Sequence, residues 1–332
     1  MKLSIKDLNK KYVLSFDSIT QLCGTNIPLK KYIIDSICKH FSSEKYKEYE
    51  ECFIDNIEID GDIPGRKQWE CYKITSRENI IETIQISKGS ILNRCIKEYI
   101  SSFECQSDLY QIDALLVGIF DKLNKELFEN DTLKLSYDTE DLFGMIQHTS
   151  IRTAEDKDVH NMTTMELFDV FINIISKQQE LIPEKRMFIF ENIDHIVGLK
   201  DYLNIIIKCE ELSKKSNIWF IFATSLDGYV NISDYSIESI NIINDDIFIM
   251  PSTEHIMDFI RDNYPLERHW EKSYIQKCIS NIIQKIGSSI ELFQPDELVL
   301  LKLINETNNI RKNWKNGPKT PEIQCLLNKK VI

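Results

Sequence analysis

Residues 19–41, ITQLCGTNIPLKKYIIDSICKHF, contain an apolar run, a loop and a helical pattern in that order, and they decide the fold. The run that ends at Cys23 predicts a strand, and Ile33, Ile34 and Ile37 recur at the spacing of one helix face. Pro28 suits the first helical turn, where its missing N–H leaves no bond unmade. A strand that enters a helix through a short glycine-containing loop is typical of an α/β protein.

The loop itself, GTNIPLKK (24–31), has the place of a phosphate-binding P-loop of the form G-x-N-G-x-G-K-[ST]. Gly24 and Asn26 match that pattern, and Lys30 falls at the phosphate lysine. Ile27 and Leu29 replace glycines that would let backbone N–H groups approach phosphate, Pro28 removes one donor outright, and Lys31 stands where the magnesium-binding hydroxyl belongs. The sequence therefore predicts the position of a P-loop without its chemistry, or else a chance match in a degenerate loop.

Two further apolar runs, RMFIFEN (186–192) and NIWFIFA (217–223), predict buried strands. Runs that are apolar on both faces are used by a largely parallel sheet with helical crossovers. Glu191 ends the first run at the place of a Walker-B carboxylate, with Asp194 and His195 just beyond it. The alternative is a strand that simply ends in polar residues at the surface.

The composition is that of a folded protein that does not cross a membrane. The chain has 332 residues, a formal net charge of −12 and nine cysteines without C-x-x-C spacing, and no apolar run approaches the length of a membrane span. The charged start, MKLSIKDLNKKY, does not resemble a signal peptide, so we expect a cytoplasmic protein with free thiols.

The periodicities predict a head domain in two parts (1–89 and 181–250), a helical insertion over 90–180 and a helical C-terminal extension over 251–332. Charge is segregated among these parts. Residues 1–47 carry nine lysines and four acids (+5), residues 101–160 carry five bases and thirteen acids (−8), and residues 307–332 carry six bases and one acid (+5). Such segregation would let one surface attract phosphate although the molecule is acidic, but chance clustering on a solvated surface remains the alternative.

Acidic residues around the short run LKLSY (133–137) are a candidate Ca²⁺ site, because calcium binds six to eight oxygens. The acidic side chains are Glu129, Asp131, Asp138, Glu140 and Asp141. No D-x-D-x-D-G loop is present, and the alternative is that Asp138 caps a helix.

The degenerate loop GTNIPLKK, the acidic stretch END-TLKLSYD-TEDLFGMI and the strands RMFIFEN and NIWFIFA together resemble one family. It is the ring-forming spacer-acquisition accessory protein of type II-A CRISPR systems (Csn-two), in its larger form. The resemblance covers about residues 1–250, and residues 251–332 look like the extra helices of the large form. It implies an α/β, P-loop-like head with a mostly parallel sheet, an inserted helical leg, and a homotetrameric ring whose positively charged hole encircles double-stranded DNA and prefers linear ends.

The resemblance also implies a protein of antiviral defence that is not an enzyme, requires no cofactor and works with the spacer integrase and the RNA-guided nuclease of its locus. Short-form members bind Ca²⁺ near the leg, which would again point to Glu129, Asp131 and Asp138. Candidate DNA contacts are the cations on the head: Lys30, Lys31, Lys208, Lys214 and Lys215. The alternatives are a P-loop nucleotide-binding protein or NTPase and a protein–protein adaptor without DNA binding.

Overall fold

The computed structural model describes residues 1–7, 10–127, 135, 149, 151–153, 155–156, 158–226, 228–263, 270–287 and 294–310. They form two compact units. Unit 1 holds the described residues of Met1–Ser76 and Glu184–Ile332, and unit 2 is formed within Arg77–Pro183.

The described residues of unit 1 include nine strands: β1 Lys2–Asp7, β2 Lys10–Ser15, β3 Ile19–Cys23, β4 Ile57–Ile59, β5 Glu70–Ile74, β6 Arg186–Glu191, β7 Ile218–Ala223, β8 Ile240–Ile243 and β9 Ile247–Ile249. The main sheet has six of them in the order β5-β6-β7-β3-β8-β9. All neighbouring pairs are parallel except β8 and β9, so the chain has the predicted mixed α/β fold with a mostly parallel sheet.

Nine helices are described: α1 Ile27–His40, α2 Arg77–Ile84, α3 Ile91–Ile100, α4 Phe103–Leu127, α5 Thr164–Leu181, α6 Leu199–Ser213, α7 Thr253–Asn263, α8 Lys272–Ile282 and α9 Pro295–Thr307. Helices α2–α5 lie in unit 2 and the others in unit 1.

The main sheet is apolar on both faces, as its continuous apolar runs predict. On one face, Met187 and Ile189 of β6 belong to the same core cluster as Ile33 of α1. On the other face, Phe190 stacks on Phe222 with ring centroids 5.1 Å apart. Because side chains alternate along a strand, covering both faces buries every residue of β6 except its last.

The small sheet of unit 1 corrects a prediction of strand pairing. The turn-forming sequence Gly61-Asp62-Ile63-Pro64-Gly65 lies between β4 and β5 and, taken by itself, predicts a hairpin that joins them. Instead, β4 pairs with β1 in an antiparallel sheet of order β2-β1-β4, and β5 joins the main sheet beside β6. The local turn signal was overridden because β5 finds a long parallel partner in β6.

Helices α7–α9 are part of the core of unit 1, which differs from the separate extension predicted over 251–332. Ile256, Ile279 and Leu300 pack in one buried cluster with Ile240 and Ile242 of β8. Burying such aliphatic side chains contributes roughly 1.5–3 kcal/mol each, so this cluster joins the helices firmly to the sheet edge.

Unit 2 begins earlier than the boundary predicted at residue 90. Helix α2 belongs to this helical unit. Its residues Ile80, Ile81 and Ile84 are all buried. Helix α5 starts at a capping box, where the Glu166 amide donates to Thr163 Oγ1 (3.3 Å) and the Thr163 amide donates to Glu166 Oε2 (2.6 Å).

Candidate nucleic-acid interface and the occupied loop

The loop after β3 makes a sharp left-handed turn at Gly24, where φ is +102°. A Cβ atom at this position would lie 2.3 Å from the carbonyl oxygen of Ile243, on the neighbouring strand β8. Glycine is therefore required here both by its φ and by the close approach of two backbones. The glycine that matched the P-loop pattern has a structural reason to be present.

Distant side chains and backbone already bind the first three N–H groups of the loop. The Gly24 amide donates to Gln284 Oε1 (2.6 Å), and the Thr25 amide donates to Asn244 Oδ1 (2.7 Å). The Asn26 amide donates to the Ile243 carbonyl (3.0 Å). A phosphate group could bind these donors only by displacing protein acceptors from all three.

The remaining loop donors are bound locally. Asn26 caps α1, because its Oδ1 accepts from the Leu29 amide (3.1 Å) and its carbonyl accepts from the Lys30 amide (3.0 Å). The Ile27 amide donates to the Thr25 carbonyl at 3.0 Å, and Pro28 has no N–H. The backbone from residue 24 to residue 30 thus has no N–H left for a ligand.

Gln284 is the residue that closes the loop from the C-terminal helices. It lies in the short 3-10 turn Ile283–Lys285 that follows α8. Its Oε1 accepts from Gly24, while its Nε2 donates to the carbonyl of Gly228 at 3.1 Å. One amide side chain therefore joins the end of β3, the segment after β7 and the C-terminal helices. The sequence contained no signal for this contact, since Gln284 is 260 residues from Gly24.

Lys30 points into the protein, with only 3% of its surface exposed. Its amine donates to the Thr224 carbonyl at 2.7 Å. Burial lowers the pKa of this lysine because desolvation disfavours the charged form. The prediction that Lys30 contacts DNA is inconsistent with this geometry, because the amine is not at the surface.

Lys31 is exposed but lies among carboxylates at the carboxyl edge of the sheet. Its amine is 3.1 Å from Asp35 and 3.6 Å from Glu191, the predicted Walker-B acid. Glu191 is also 2.8 Å from the amine of Lys73. Partial burial lowers the pKa of Lys73, but its contacts with Glu191, Lys31 and Asp35 together outweigh this effect, and the net shift of the pKa is upward. Two lysines and two acids neutralise one another here, so this edge offers little net attraction to phosphate.

Asp194, the second acid after β6, accepts a hydrogen bond from the Ser225 amide (3.2 Å) and another from the Ser225 hydroxyl. His195 lines an open cavity of about 480 Å³ together with Ile27, Asn192, Ser225 and Leu226. Asp194 thus has a positioning role in the segment after β7, and His195 lies near the loop, beside the polar residues Asn192 and Ser225.

The amino edge of the same sheet is basic. Lys214 and Lys215 lie four and three residues before β7, Lys185 immediately precedes β6, and Lys67 lies three residues before β5. Because β5, β6 and β7 are adjacent and parallel, their amino ends share one edge, with strands about 4.8 Å apart. We call Lys67, Lys185, Lys214 and Lys215 the amino-edge lysines. Sequence reasoning found the last two and missed Lys67 and Lys185.

All four amino-edge lysines are exposed, and none makes an ion pair within the part of the chain that the structure describes. Two of them lie against aromatic rings: Lys214 Nζ is 4.2 Å from the Tyr235 ring centroid, and Lys185 Nζ is 5.4 Å from that of Trp69. Such contacts orient an amine without cancelling its charge.

Two acids near this edge are already bound. Glu70 Oε2 lies 3.1 Å from Nε of the buried Arg186, and Glu184 Oε2 lies 3.3 Å from its Nη2. Lys208, the remaining predicted contact, is half-buried within α6, about 9 Å along the helix axis from Lys214. The five predicted lysines therefore do not form one surface: Lys30 is buried, Lys31 is paired at the opposite edge, and Lys214 and Lys215 belong to the amino edge.

The predicted calcium ligands Glu129, Asp131 and Asp138 lie outside the described residues. Among the residues that are described, no cluster of three or more His, Cys, Asp or Glu side chains is arranged to hold a metal ion. No helix in the described ranges combines the length and apolarity needed to cross a bilayer.

No protein-family model and no curated protein matches this chain. Among solved structures, it is similar to Stu0660 of Streptococcus thermophilus, with a TM-score of 0.84 and 18% identity over 98% of this chain and 99% of that chain. Weaker similarities are to an SMC head bound to the C-terminal winged-helix domain of ScpA (TM-score 0.42, 15% identity, 76% and 98% covered) and to the SMC head domain of Thermotoga maritima (0.35, 12%, 75% and 97%). The first similarity shows that the two chains share one fold over almost their whole length.

Proposed function

We propose that this protein is a non-catalytic, ring-forming binder of double-stranded DNA ends that acts in CRISPR spacer acquisition, as the Csn-two resemblance implies. The observation that carries the proposal is the row of unpaired amino-edge lysines on an acidic protein. Its partners would be linear duplex DNA, further copies of itself in a homotetramer, and the spacer integrase and RNA-guided nuclease of its locus.

The amino-edge lysines match what sequence-independent duplex binding needs. Three adjacent strands span about 10 Å, and a duplex carries one negative charge per ~1.7 Å of its axis with both strands counted, so about six phosphates lie within this width and about three of them belong to each strand. Exposed amines on flexible stems can meet these phosphates but read no base sequence. A net charge of −12 per protomer gives −48 for a tetramer (4 × −12), so the attraction would be local.

The loop at residues 24–30, whose N–H groups are all bound within the protein and which we call the occupied loop, favours this proposal over the nucleotide-hydrolysing alternative. A P-loop enzyme needs free backbone donors, a lysine that reaches phosphate and a carboxylate facing magnesium. In this chain the donors are bound, Lys30 is buried against the Thr224 carbonyl, and Glu191 is neutralised by Lys73.

Helix α4 supports the homo-oligomeric part of the proposal. It runs for 25 residues and none of them is buried. Phe103, Tyr110 and Leu115 expose 91%, 72% and 70% of their surfaces. An apolar helix of this kind is suited to contact with a second copy of the chain.

The test compares duplex binding by the wild type and by Lys214→Glu/Lys215→Glu, using fluorescence anisotropy over a range of salt. Each lost phosphate contact removes about 0.9 from the log–log salt slope, so two lost contacts lower it by about 1.8 and weaken binding at 0.1 M salt by roughly 50-fold. The matched control is Lys10→Glu/Lys11→Glu, which makes the same change in net charge at lysines already paired with Asp246 and Glu58.

Equal binding by the two double variants would refute the assigned surface. Linear fragments should bind far better than covalently closed circles, and equal affinity for both would refute threading of DNA ends. An oligomer that binds neither form would leave the adaptor alternative in its place.

A further inference from the structure

Two half-buried cysteines face each other between α1 and the edge strand β5. The thiols of Cys38 and Cys71 lie close enough for each to shift the pKa of the other. Both pack against one core cluster yet stay partly open to solvent, whereas Cys23 and Cys209 are fully buried. Two thiols in contact at a partly open site can be reached by a small oxidant.

An ion pair between the same two elements, α1 and β5, independently indicates that the two cysteines lie close together. Lys73 Nζ lies 3.4 Å from Asp35 Oδ1, which joins β5 to α1. Cys38 follows Asp35 by three residues on the same helix face, and Cys71 precedes Lys73 by two on the same strand face. Strand β3 is parallel to β5, β6 and β7, and α1 runs back along the sheet after β3. Going from Asp35 to Cys38 on the helix and from Lys73 to Cys71 on the strand therefore leads in the same direction, which brings the two thiols together.

The surroundings make the two thiols unequal. The hydrogen bond from Cys71 lowers the pKa of Cys38, and Lys73 acts in the same direction, while burial and the charges of Asp35 and Glu191 oppose it. The same hydrogen bond and burial raise the pKa of Cys71. Cys38 is thus the better nucleophile of the pair, since the thiolate is the reacting form.

We propose that Cys38 and Cys71 form an oxidisable dithiol that closes to an intramolecular disulfide when a peroxide reacts with Cys38. The Cys38 thiolate attacks one oxygen of hydrogen peroxide, the O–O bond breaks, and a sulfenic acid and water result once the leaving hydroxide takes up a proton. The Cys71 sulfur then attacks the sulfenic sulfur, the S–S bond forms, and the S–O bond breaks to release a second water. Both sulfurs are oxidised by one electron each, and one peroxide is reduced to two waters.

The disulfide would restrain the strand that leads into unit 2. β5 is an edge strand that pairs only with β6, and Arg77 of unit 2 follows it three residues later. A Cys38–Cys71 bond would tie this strand covalently to the helix that begins at the occupied loop. Because the crosslink closes a loop of more than thirty residues, we expect it to raise the melting temperature by about 5 °C or more.

The experiment treats the reduced full-length protein with hydrogen peroxide and maps disulfide-linked peptides by mass spectrometry. We expect a Cys38–Cys71 crosslink with a loss of about two hydrogens, reversed by a thiol reductant. The Cys71→Ser variant should accumulate a sulfenic acid at Cys38 that dimedone traps, and Cys38→Ser should give neither product at Cys71. The matched control, Cys52→Ser, removes an exposed thiol and should leave the crosslink intact.

A second measurement on the unmodified protein does not depend on any variant folding. Alkylation by iodoacetamide at increasing pH should reach half its maximal rate at lower pH for Cys38 than for Cys71. Failure to find a 38–71 crosslink while Cys52 is oxidised would overturn the proposal, and so would a crosslink between two copies of Cys38. DNA binding plays no part in either readout, so the two proposals fail separately.

Discussion

Replacing Gln284 by alanine tests whether the C-terminal helices hold the loop closed. The substitution removes the hydrogen bond accepted from the Gly24 amide (2.6 Å) and the one donated to the Gly228 carbonyl (3.1 Å). The 3.5 Å approach to the Thr224 hydroxyl is too long to add much. Two backbone groups then lose their partners in a half-buried site, at roughly 1–3 kcal/mol each when fully buried.

Because Gln284 is half-buried, water can reach part of the opened space and the lower end of that range applies. We therefore expect the free energy of unfolding to fall by about 2 kcal/mol. With a urea slope of about 2 kcal/mol/M, the unfolding midpoint of unit 1 should move by about 1 M. Urea unfolding followed by tryptophan fluorescence reports on this unit, which holds Trp69, Trp219 and Trp270.

The matched control is Gln276→Ala on α8. Gln276 donates one exposed hydrogen bond, to Asp234 at 3.3 Å, and its loss should shift the midpoint by less than about a quarter as much. If the two alanine variants unfold at the same urea concentration, Gln284 does not close the loop and the account of the occupied site fails. Neither variant should acquire nucleotide turnover, because Lys30 remains buried.

Three further predictions concern catalysis, calcium and assembly. With ATP or GTP and Mg²⁺, phosphate release should stay at background and Lys30→Ala should not change it; turnover abolished by that substitution would contradict the closed loop. Millimolar Ca²⁺ should raise the melting temperature only modestly through Glu129, Asp131 and Asp138, and a shift above about ten degrees that disappears in Asp138→Ala would show a real site. Leu115→Glu on α4 should convert the expected tetramer to smaller species in light scattering, whereas Ile63→Glu, at a half-exposed turn residue, should not; an unchanged tetramer would remove α4 from the interface.

Much of the main sheet could be predicted because each of its elements has a recognisable local sequence pattern. The runs at 186–192 and 217–223 became β6 and β7, and the loop at 24–31 lies between a strand and a helix as its pattern indicates. The amino-edge lysines could also have been predicted from the sequence. Lys185 precedes one apolar strand as Lys214 and Lys215 precede the next, and parallel strands place their amino ends on one edge.

What the sequence could not reveal depends on contacts between distant residues. Lys30 and Lys31 are adjacent in the chain, but α1 turns the first amine into the protein and leaves the second at the surface. The pairing of β4 with β1 also overrides a strong local turn signal, since register is decided by burial in the assembled sheet.

The substitutions in the loop are easier to understand together than one at a time. In a P-loop protein the backbone N–H groups hold a phosphate, and a hydroxyl and a carboxylate face a magnesium ion. Here Gln284 supplies the oxygen that meets the Gly24 N–H, and the Lys31 amine lies 3.6 Å from Glu191, so side chains of the chain provide both an acceptor and a cation.

This arrangement explains why the loop can fold without the P-loop glycines at positions 27 and 29. Ile27 and Leu29 would hinder the approach of a phosphate, but the loop binds an amide side chain that reaches it from one direction only. A single substitution, such as Lys31→Thr, would supply the hydroxyl of the P-loop pattern while Gln284 still occupied the donor and Lys30 still lay against the Thr224 carbonyl. We expect that a phosphate could bind here only after changes in the loop and in the C-terminal helices together, because the two form one hydrogen-bonded structure.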